Sequence, residues 1–244
     1  MAEGRVLLEV CVDTADGLFA AVEGGADRIE LCSALELGGL TPSPGLMQIA
    51  ASAACPVYAM VRPRGGGFVY SPAELDQMHR DIETVSAAGL AGIVIGANGE
   101  KSGLDRAALG ALMRHRGTLG ATLHRAIDLC PNMLESVDAA ADLGFERILT
   151  SGGALNALAG LERLAAMHER ANGRLTIMPG GGVSPDNVAR FTSAFPVREI
   201  HASCSAAETS ADARLAEFGF VTGPRRRTSA QRVRALRAAL DAAS

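Results

Sequence analysis

Short apolar, β-branched runs alternate along this chain with stretches of helical periodicity. The runs at 6–12, 28–32, 57–62, 92–95, 120–124, 147–150, 175–178 and 198–202 predict eight strands. Between them, apolar positions spaced three and four apart at 18–23, 73–88, 106–116, 133–143, 157–170 and 187–192 predict amphipathic helices, and a basic helix at 230–239 closes the chain. Start signals agree with this division. Ser71-Pro72-Ala73-Glu74 has the form of a capping box with Pro at the first helical position, and Ser43-Pro44 and Ser184-Pro185 open helices in the same way. Glycines punctuate the helix ends in Glu23-Gly24-Gly25, Ala88-Gly89-Leu90 and Leu143-Gly144-Phe145.

Eight strand-then-helix units without a break in composition predict an α/β fold, a (β/α)8 TIM barrel forming a single domain over 1–244. A long segment at about 203–229 follows the eighth strand and precedes the terminal helix. An open doubly wound sheet is disfavoured, because Val12-Asp13-Thr14 after the first strand lacks the glycine-rich turn such a sheet uses. The segments following strands are the long ones, notably 33–43, 63–71 and 203–229, which puts function on the face where those loops gather.

Composition narrows the class. With 244 residues, 48% hydrophobic, 20% charged and a net charge of -4, the chain can bury a sizeable core and lacks the basic balance of a nucleic-acid binder. Its one basic cluster, Arg225, Arg226 and Arg227 followed by Arg232, Arg234 and Arg237, reads as a solvated helix face. No apolar run reaches the length of a membrane span, and the first twelve residues show no secretory pattern, so the expected location is cytoplasmic. Five cysteines without paired spacing suit reduced thiols rather than a disulfide framework.

Strand alternation then picks out the chemistry. Glu9 and Cys11 share one face of the first strand and Glu30 and Cys32 one face of the second; the same rule turns Met60, Arg62, Thr122, His124, Thr150, His201 and Ser203 inward. Carboxylates in runs this apolar need partners or a polar cavity. Two readings stand side by side. Glu9, Glu30 and Arg62 form an internal ion-pair network around a satisfied His124, or they gather with His124 and His201 as acid, base and oxyanion-holding groups. Arg64 beside Gly65-Gly66-Gly67, Asp128 after His124-Arg125, Thr150-Ser151 and the Pro179-Gly180-Gly181-Gly182-Val183-Ser184 loop are candidate anion contacts, and each equally suits a structural loop. Cys11 and Cys32 are soft donors suited to Cu(I), or small apolar fillers of the barrel.

Leu8-Glu9-Val10-Cys11-Val12-Asp13, the segment from Gly24 to Ser33 ending Glu30-Leu31-Cys32-Ser33, Gly38-Gly39-Leu40-Thr41-Pro42-Ser43, Arg62-Pro63-Arg64-Gly65-Gly66, His124-Arg125-Ala126, Leu149-Thr150-Ser151-Gly152 and Pro179-Gly180-Gly181-Gly182 together resemble the CutC copper homeostasis family, from about Leu8 to Ser203. The resemblance implies a TIM barrel, a cytoplasmic homo-oligomer (dimer or tetramer), and Cu(I) held by Cys11 and Cys32. It brings no accepted reaction. The chain departs from the family pattern at Cys204-Ser205, where Ala-Arg is usual, and at Ile127, where Phe is usual. Two functional expectations follow: a copper-handling protein with Cys11 and Cys32 as ligands, or a barrel enzyme of lyase, isomerase or hydrolase type. The enzyme would take a small anionic or phosphorylated substrate, with Glu9, Glu30, Arg62, His124 and His201 catalytic and Arg64, Asp128, Thr150, Ser151, Gly181, Gly182 and Ser203 binding.

Overall fold

The computed structural model describes residues 5–100, 103–208, 213–219 and 226–243. Eight short strands carry the fold: β1 (Leu7–Val12), β2 (Arg28–Leu31), β3 (Val57–Met60), β4 (Gly92–Ile95), β5 (Gly120–Leu123), β6 (Arg147–Thr150), β7 (Thr176–Pro179) and β8 (Glu199–Ala202). All pair in parallel in the order β7-β6-β5-β4-β3-β2-β1-β8, and β8 packs against β7 to bring the two ends of the sheet together in a nearly closed (β/α)8 TIM barrel. The connecting helices are α1 (Ala15–Glu23), α2 (Pro44–Ala50), α3 (Pro72–Ala87), α4 (Arg106–His115), α5 (Met133–Asp142), α6 (Leu161–Ala171) and α7 (Val188–Ala194). Their starts are fixed by side chains. Thr14, Ser43, Asp105 and Asn132 accept N–H groups of their first turns, and Ser71 and Glu74 form the reciprocal capping box of α3.

The main core lies between the strands and the helices. Val10, Ile29, Leu31, Ala59, Ile93, Ile95, Ala121, Leu123, Ile148, Ile177 and Ile200, on the outer faces of the strands, are buried in it together with Leu18, Met78, Leu109, Leu164 and Phe191 of the helices. The loops after β2 and β5 contain 3-10 turns, Leu35–Leu37 and Arg125–Leu129, that the apolar pattern does not reveal, because a single tight turn has no period to read. The segment after β8 forms an antiparallel ribbon of β9 (Ser205–Ala207) and β10 (Arg226–Thr228), with the short helix α8 (Ala213–Glu217) between them.

The terminal helix α9 (Ala230–Ala243) corrects one expectation about charge. Its Val233, Leu236 and Leu240 are buried, and α9 packs on α1 and α7. A β-carbon on Gly24 would stand 2.4 Å from Val233, so glycine is what lets α9 come this close. Arg237 is not solvated: it is buried, donates to the Val6 carbonyl at 2.8 Å and pairs with Asp27 at 2.9 Å and Asp241 at 2.8 Å. Arg234 pairs with Glu23, Arg227 with Glu208, and Arg226 and Arg232 donate to the Ser205 carbonyl. The arginines thus tie the last quarter of the chain to the barrel; Arg225 lies outside the described residues.

Inside the barrel, the N-terminal half is filled by ions instead of aliphatic layers. Arg28 pairs with both Glu9 and Glu199, and Arg147 joins Glu199 at 3.0 Å, Glu146 at 2.9 Å and the Thr122 hydroxyl at 3.1 Å. The Tyr58 ring packs against both guanidiniums, 5.4 Å from that of Arg28 and 4.8 Å from that of Arg147, and its hydroxyl donates to Glu146. Every member has an opposite charge or an aromatic face beside it, which is the condition for tolerating charge at this depth.

Candidate metal centre

Above that floor, β8, β1 and β2 bring three potential ligands together. Register sets Glu9 beside both His201 and Arg28, and Cys11 beside Glu30. One oxygen of Glu9 takes Arg28; the other, at 2.9 Å, accepts from Nδ1 of His201. With Nδ1 so engaged, Nε2 is the nitrogen left facing Glu30, 3.7 Å away. Cys11 Sγ, a Glu30 oxygen and a His201 nitrogen all lie within 4.8 Å of one another, the sole such group of three among the described residues. All three residues are buried, and Oε1 of Glu30 has no hydrogen-bond partner.

Electrostatics separates the two carboxylates. Burial alone would raise Glu9, but the Arg28 charge and the His201 hydrogen bond overcome it and hold the carboxyl at about 2. Glu30 is raised, chiefly by burial and further by the charge of Glu9, with His201 opposing. His201 is raised well above an ordinary imidazole: burial opposes the shift, but Glu30, Cys11 and Glu9 outweigh it. A carboxylate behind the distal nitrogen of an imidazole is the arrangement that orients histidine ligands in metal sites.

Cys32 stands outside the triad. Fully buried, it lies 3.7 Å from Oε2 of Glu30, the same oxygen that His201 faces, and burial, then Glu30 and Cys11, push its thiol up, so it faces Glu30 as S–H. Its sulfur packs with Met60, Tyr58 and Val94 in a small apolar cluster of its own. Cys204, just beyond β8, is pushed to about 12, first by burial and then by Cys11.

The remaining candidates form separate groups. Arg62 does not reach Glu9 or Glu30; it donates to the carbonyls of Leu37, Gly39 and Gly66, and its guanidinium lies 5.0 Å from the Phe68 ring. Phe68 in turn sits 4.9 Å from the His124 ring. His124 Nδ1 accepts from the Ala126 N–H at 3.1 Å while Nε2 has no partner; burial, reinforced by Arg62, lowers its pKa to about 3, so the ring is neutral. Arg64 is engaged by Glu74 and by the carbonyls of Gly67 and Val69.

Asp128 is itself the anion of the loop after β6. It accepts from the Ser151 and Gly153 N–H groups, the Thr150 and Ser151 hydroxyls, and Arg125. Thr150, expected to face inward, stands on the opposite face of β6 from Arg147, whose side chain is inside the barrel. Gly180 is where a β-carbon would meet Leu149 at 2.3 Å, and Gly181 and Gly182 take φ of 97° and 80°. The Ser184 N–H behind them is taken by Asn187. Ser203 is exposed and shares a hydrogen bond with the Ser205 hydroxyl instead of turning inward.

Sequence reasoning passed over Arg28, Tyr58, Arg147 and Glu199. The signal was available for three of them, since Arg28 has the parity of Glu30, Tyr58 that of Met60, and Glu199 that of His201.

Among known proteins, two curated relatives cover nearly the whole chain: family protein CutC of Rhizobium meliloti (strain 1021), 53% identical over 238 residues, 98% of this chain and 97% of that one, and family protein CutC of Caulobacter vibrioides (strain NA1000), 52% identical over 244 residues, 98% and 100%. A solved structure from Streptococcus agalactiae that carries a copper-homeostasis designation, CutC, matches with a TM-score of 0.78 at 31% identity, covering 81% of this chain and 98% of that one. Thiamine phosphate pyrophosphorylase from Pyrococcus furiosus, 15% identical with a TM-score of 0.60 over 98% of each chain, shares the barrel alone. The CutC family model matches residues 6–206, a span containing every residue of the triad and of the ionic floor, and the chain belongs to the CutC family.

Proposed function

We propose that this protein takes part in copper homeostasis by holding Cu(I) between Cys11 and His201, with Glu30 as the neighbouring charge. The supporting observation is the 4.8 Å triad with Glu9 fixed behind His201. A thiolate and an imidazole are donors Cu(I) accepts; a carboxylate is too hard to contribute much bonding, and Glu30 serves to balance charge. In the ion-free protein a proton on His201 Nε2 faces Glu30, and a monovalent cation can take that proton's place. Cys32 serves as an outer partner that anchors Glu30. The reading carries with it a cytoplasmic setting, where free thiols such as these stay reduced, and a homo-oligomer for which exposed Leu129 and Leu155 offer apolar surface.

The test is a competition titration with Cu(I) under reducing conditions. Cys11→Ala and His201→Ala should each weaken binding by about 100-fold, and unchanged affinity in both variants overturns the proposal. Binding must also displace ligand protons, so affinity should strengthen as pH rises, by about tenfold per unit for each proton released.

A second reading has its own observation. Glu30 Oε1 and His124 Nε2 are buried polar atoms without partners, as acid–base groups awaiting a substrate would be. An enzyme acting on a small anionic compound would lose turnover in Glu30→Gln and His124→Ala while staying folded.

A further inference from the structure

The imidazole of His124 is built as a fixed donor. Thr122 reaches Arg147 inside the barrel, and alternation along β5 turns His124, two residues on, the same way. The ring caps the Arg125–Leu129 turn: the Ala126 N–H donates to Nδ1 at 3.1 Å, and the Ala126 carbonyl is itself held by the Asn98 side-chain amide at 3.1 Å. A neutral imidazole whose Nδ1 accepts carries its proton on Nε2. The ring is also wedged in place. Gly96 adjoins it at the end of β4, where a β-carbon would stand 2.4 Å from Cε1, and the Phe68 ring packs on it at 4.9 Å. Only 4% of His124 is exposed, yet its Nε2 has no partner. A buried N–H costs stability until it finds an acceptor, so one held this firmly points to an acceptor that comes from outside the chain. Nε of Arg62 and the hydroxyl of Tyr70 are buried without partners too, and the Arg62 guanidinium lies 5.0 Å from the same Phe68 ring. Its other nitrogens are engaged by the carbonyls of Leu37, Gly39 and Gly66, which fixes where its charge sits.

We infer that Nε2–H of His124 is the hydrogen-bond donor for the carbonyl oxygen of a small oxo acid, with Arg62 supplying the positive field for that compound's negative charge. The inference rests on the enzyme reading above and changes one role in it: His124 polarises an oxygen and transfers no proton. Burial and the Arg62 charge keep the ring neutral, with a pKa of about 3, and its Nδ1 lone pair is already taken, so it is equipped neither as an acid nor as a base. The eight strands contain no lysine, so none of them can activate a carbonyl as a Schiff base, a task that falls to donors such as this one. A neutral imidazole N–H suits it, because it stabilises charge developing on the oxygen without surrendering its proton. Asp128, the nearest acid after His124 in the chain, is satisfied by Arg125 and by the loop after β6 and does not take the Nε2 proton.

The experiment is nitrogen-15 NMR of the full chain labelled at histidine and at the backbone, alone and titrated with pyruvate, acetate or inorganic phosphate. The free protein should show His124 as the neutral Nε2–H tautomer between about pH 5 and 8. Pyruvate should move the Nε2–H resonance until it saturates, and acetate, which has the charge but no second carbonyl, should bind about tenfold more weakly. His124→Ala should weaken pyruvate binding by about tenfold, and His124→Gln, which keeps an N–H to donate, should recover part of the loss. That recovery separates a donor from a residue that merely fills space. An Nδ1–H tautomer, an imidazolium in this pH range, or pyruvate binding unaltered in both variants overturns the inference and leaves the enzyme reading standing on Glu30. So does an unmoved Nε2–H while backbone resonances at the strand ends shift. If none of the three compounds moves any resonance there, the enzyme reading falls with it.

Discussion

Glu9 joins the two halves of the barrel interior, one oxygen belonging to the ionic floor and the other to His201. Glu9→Gln preserves the shape and removes the charge, so it should weaken Cu(I) binding by about 10- to 100-fold although it touches no ion. Chelator competition reads this directly; an unaltered affinity would mean that His201 is not oriented by Glu9. His124 supports a separate prediction. Its pKa is about 3 in the folded chain against an ordinary 6.5, so acid protonates the unfolded chain first. Its contribution is complete above pH 6.5 and is lost as pH falls toward 3, at up to ~1.4 kcal/mol per pH unit. His124→Gln should therefore flatten the decline of stability between pH 6.5 and 3, as urea unfolding at several pH values would show. Parallel profiles for wild type and variant would refute it. At this scale the sequence was only partly legible. Alternation brought Glu9, Cys11, Glu30 and His201 to one place, but it misassigned Thr150, and it could not tell that Asp128 supplies the anion for its own neighbouring loop.

Among the elements, β4 and β5 are shaped around one side chain of β3. A β-carbon on Gly92 would come within 2.3 Å of the Tyr58 ring, and one on Gly120 within 2.2 Å of its hydroxyl. Gly92→Ala and Gly120→Ala should each cost roughly 1–3 kcal/mol by forcing Tyr58 away from the two guanidiniums, measurable as a lower Tm; unaltered Tm would mean the ring adjusts freely. The strands were readable because each outer face is a continuous apolar surface under the helices, largely of β-branched residues. Their inner faces were read only toward the C-terminal ends, where long loops drew attention, so the charged floor at the other ends went unread. Three-residue pieces such as β9 and β10 are too short to carry a period and had no local signal.

Across the whole molecule, α9 makes the stability of the barrel depend on the last residues of the chain. Arg237 links α9 to the Val6 carbonyl just before β1 and to Asp27 just before β2. Arg237→Ala leaves Asp27 without this partner and should cost about 3 kcal/mol, seen in the urea midpoint. A change below about 0.5 kcal/mol would mean the pair is a surface contact in energetic terms. The sequence announced the helix but not its attachment, since a buried arginine and a solvated one look alike until the partner is known. The stacked Arg28–Tyr58–Arg147 floor has one further consequence. A plug of paired charges closes the lower end, so an ion held beside Cys11, as proposed above, would have to leave on the side from which it came. On that reading delivery and retrieval cannot run as one-way traffic, and an acceptor would have to collect its cargo at the end of the strands where Cys11 lies.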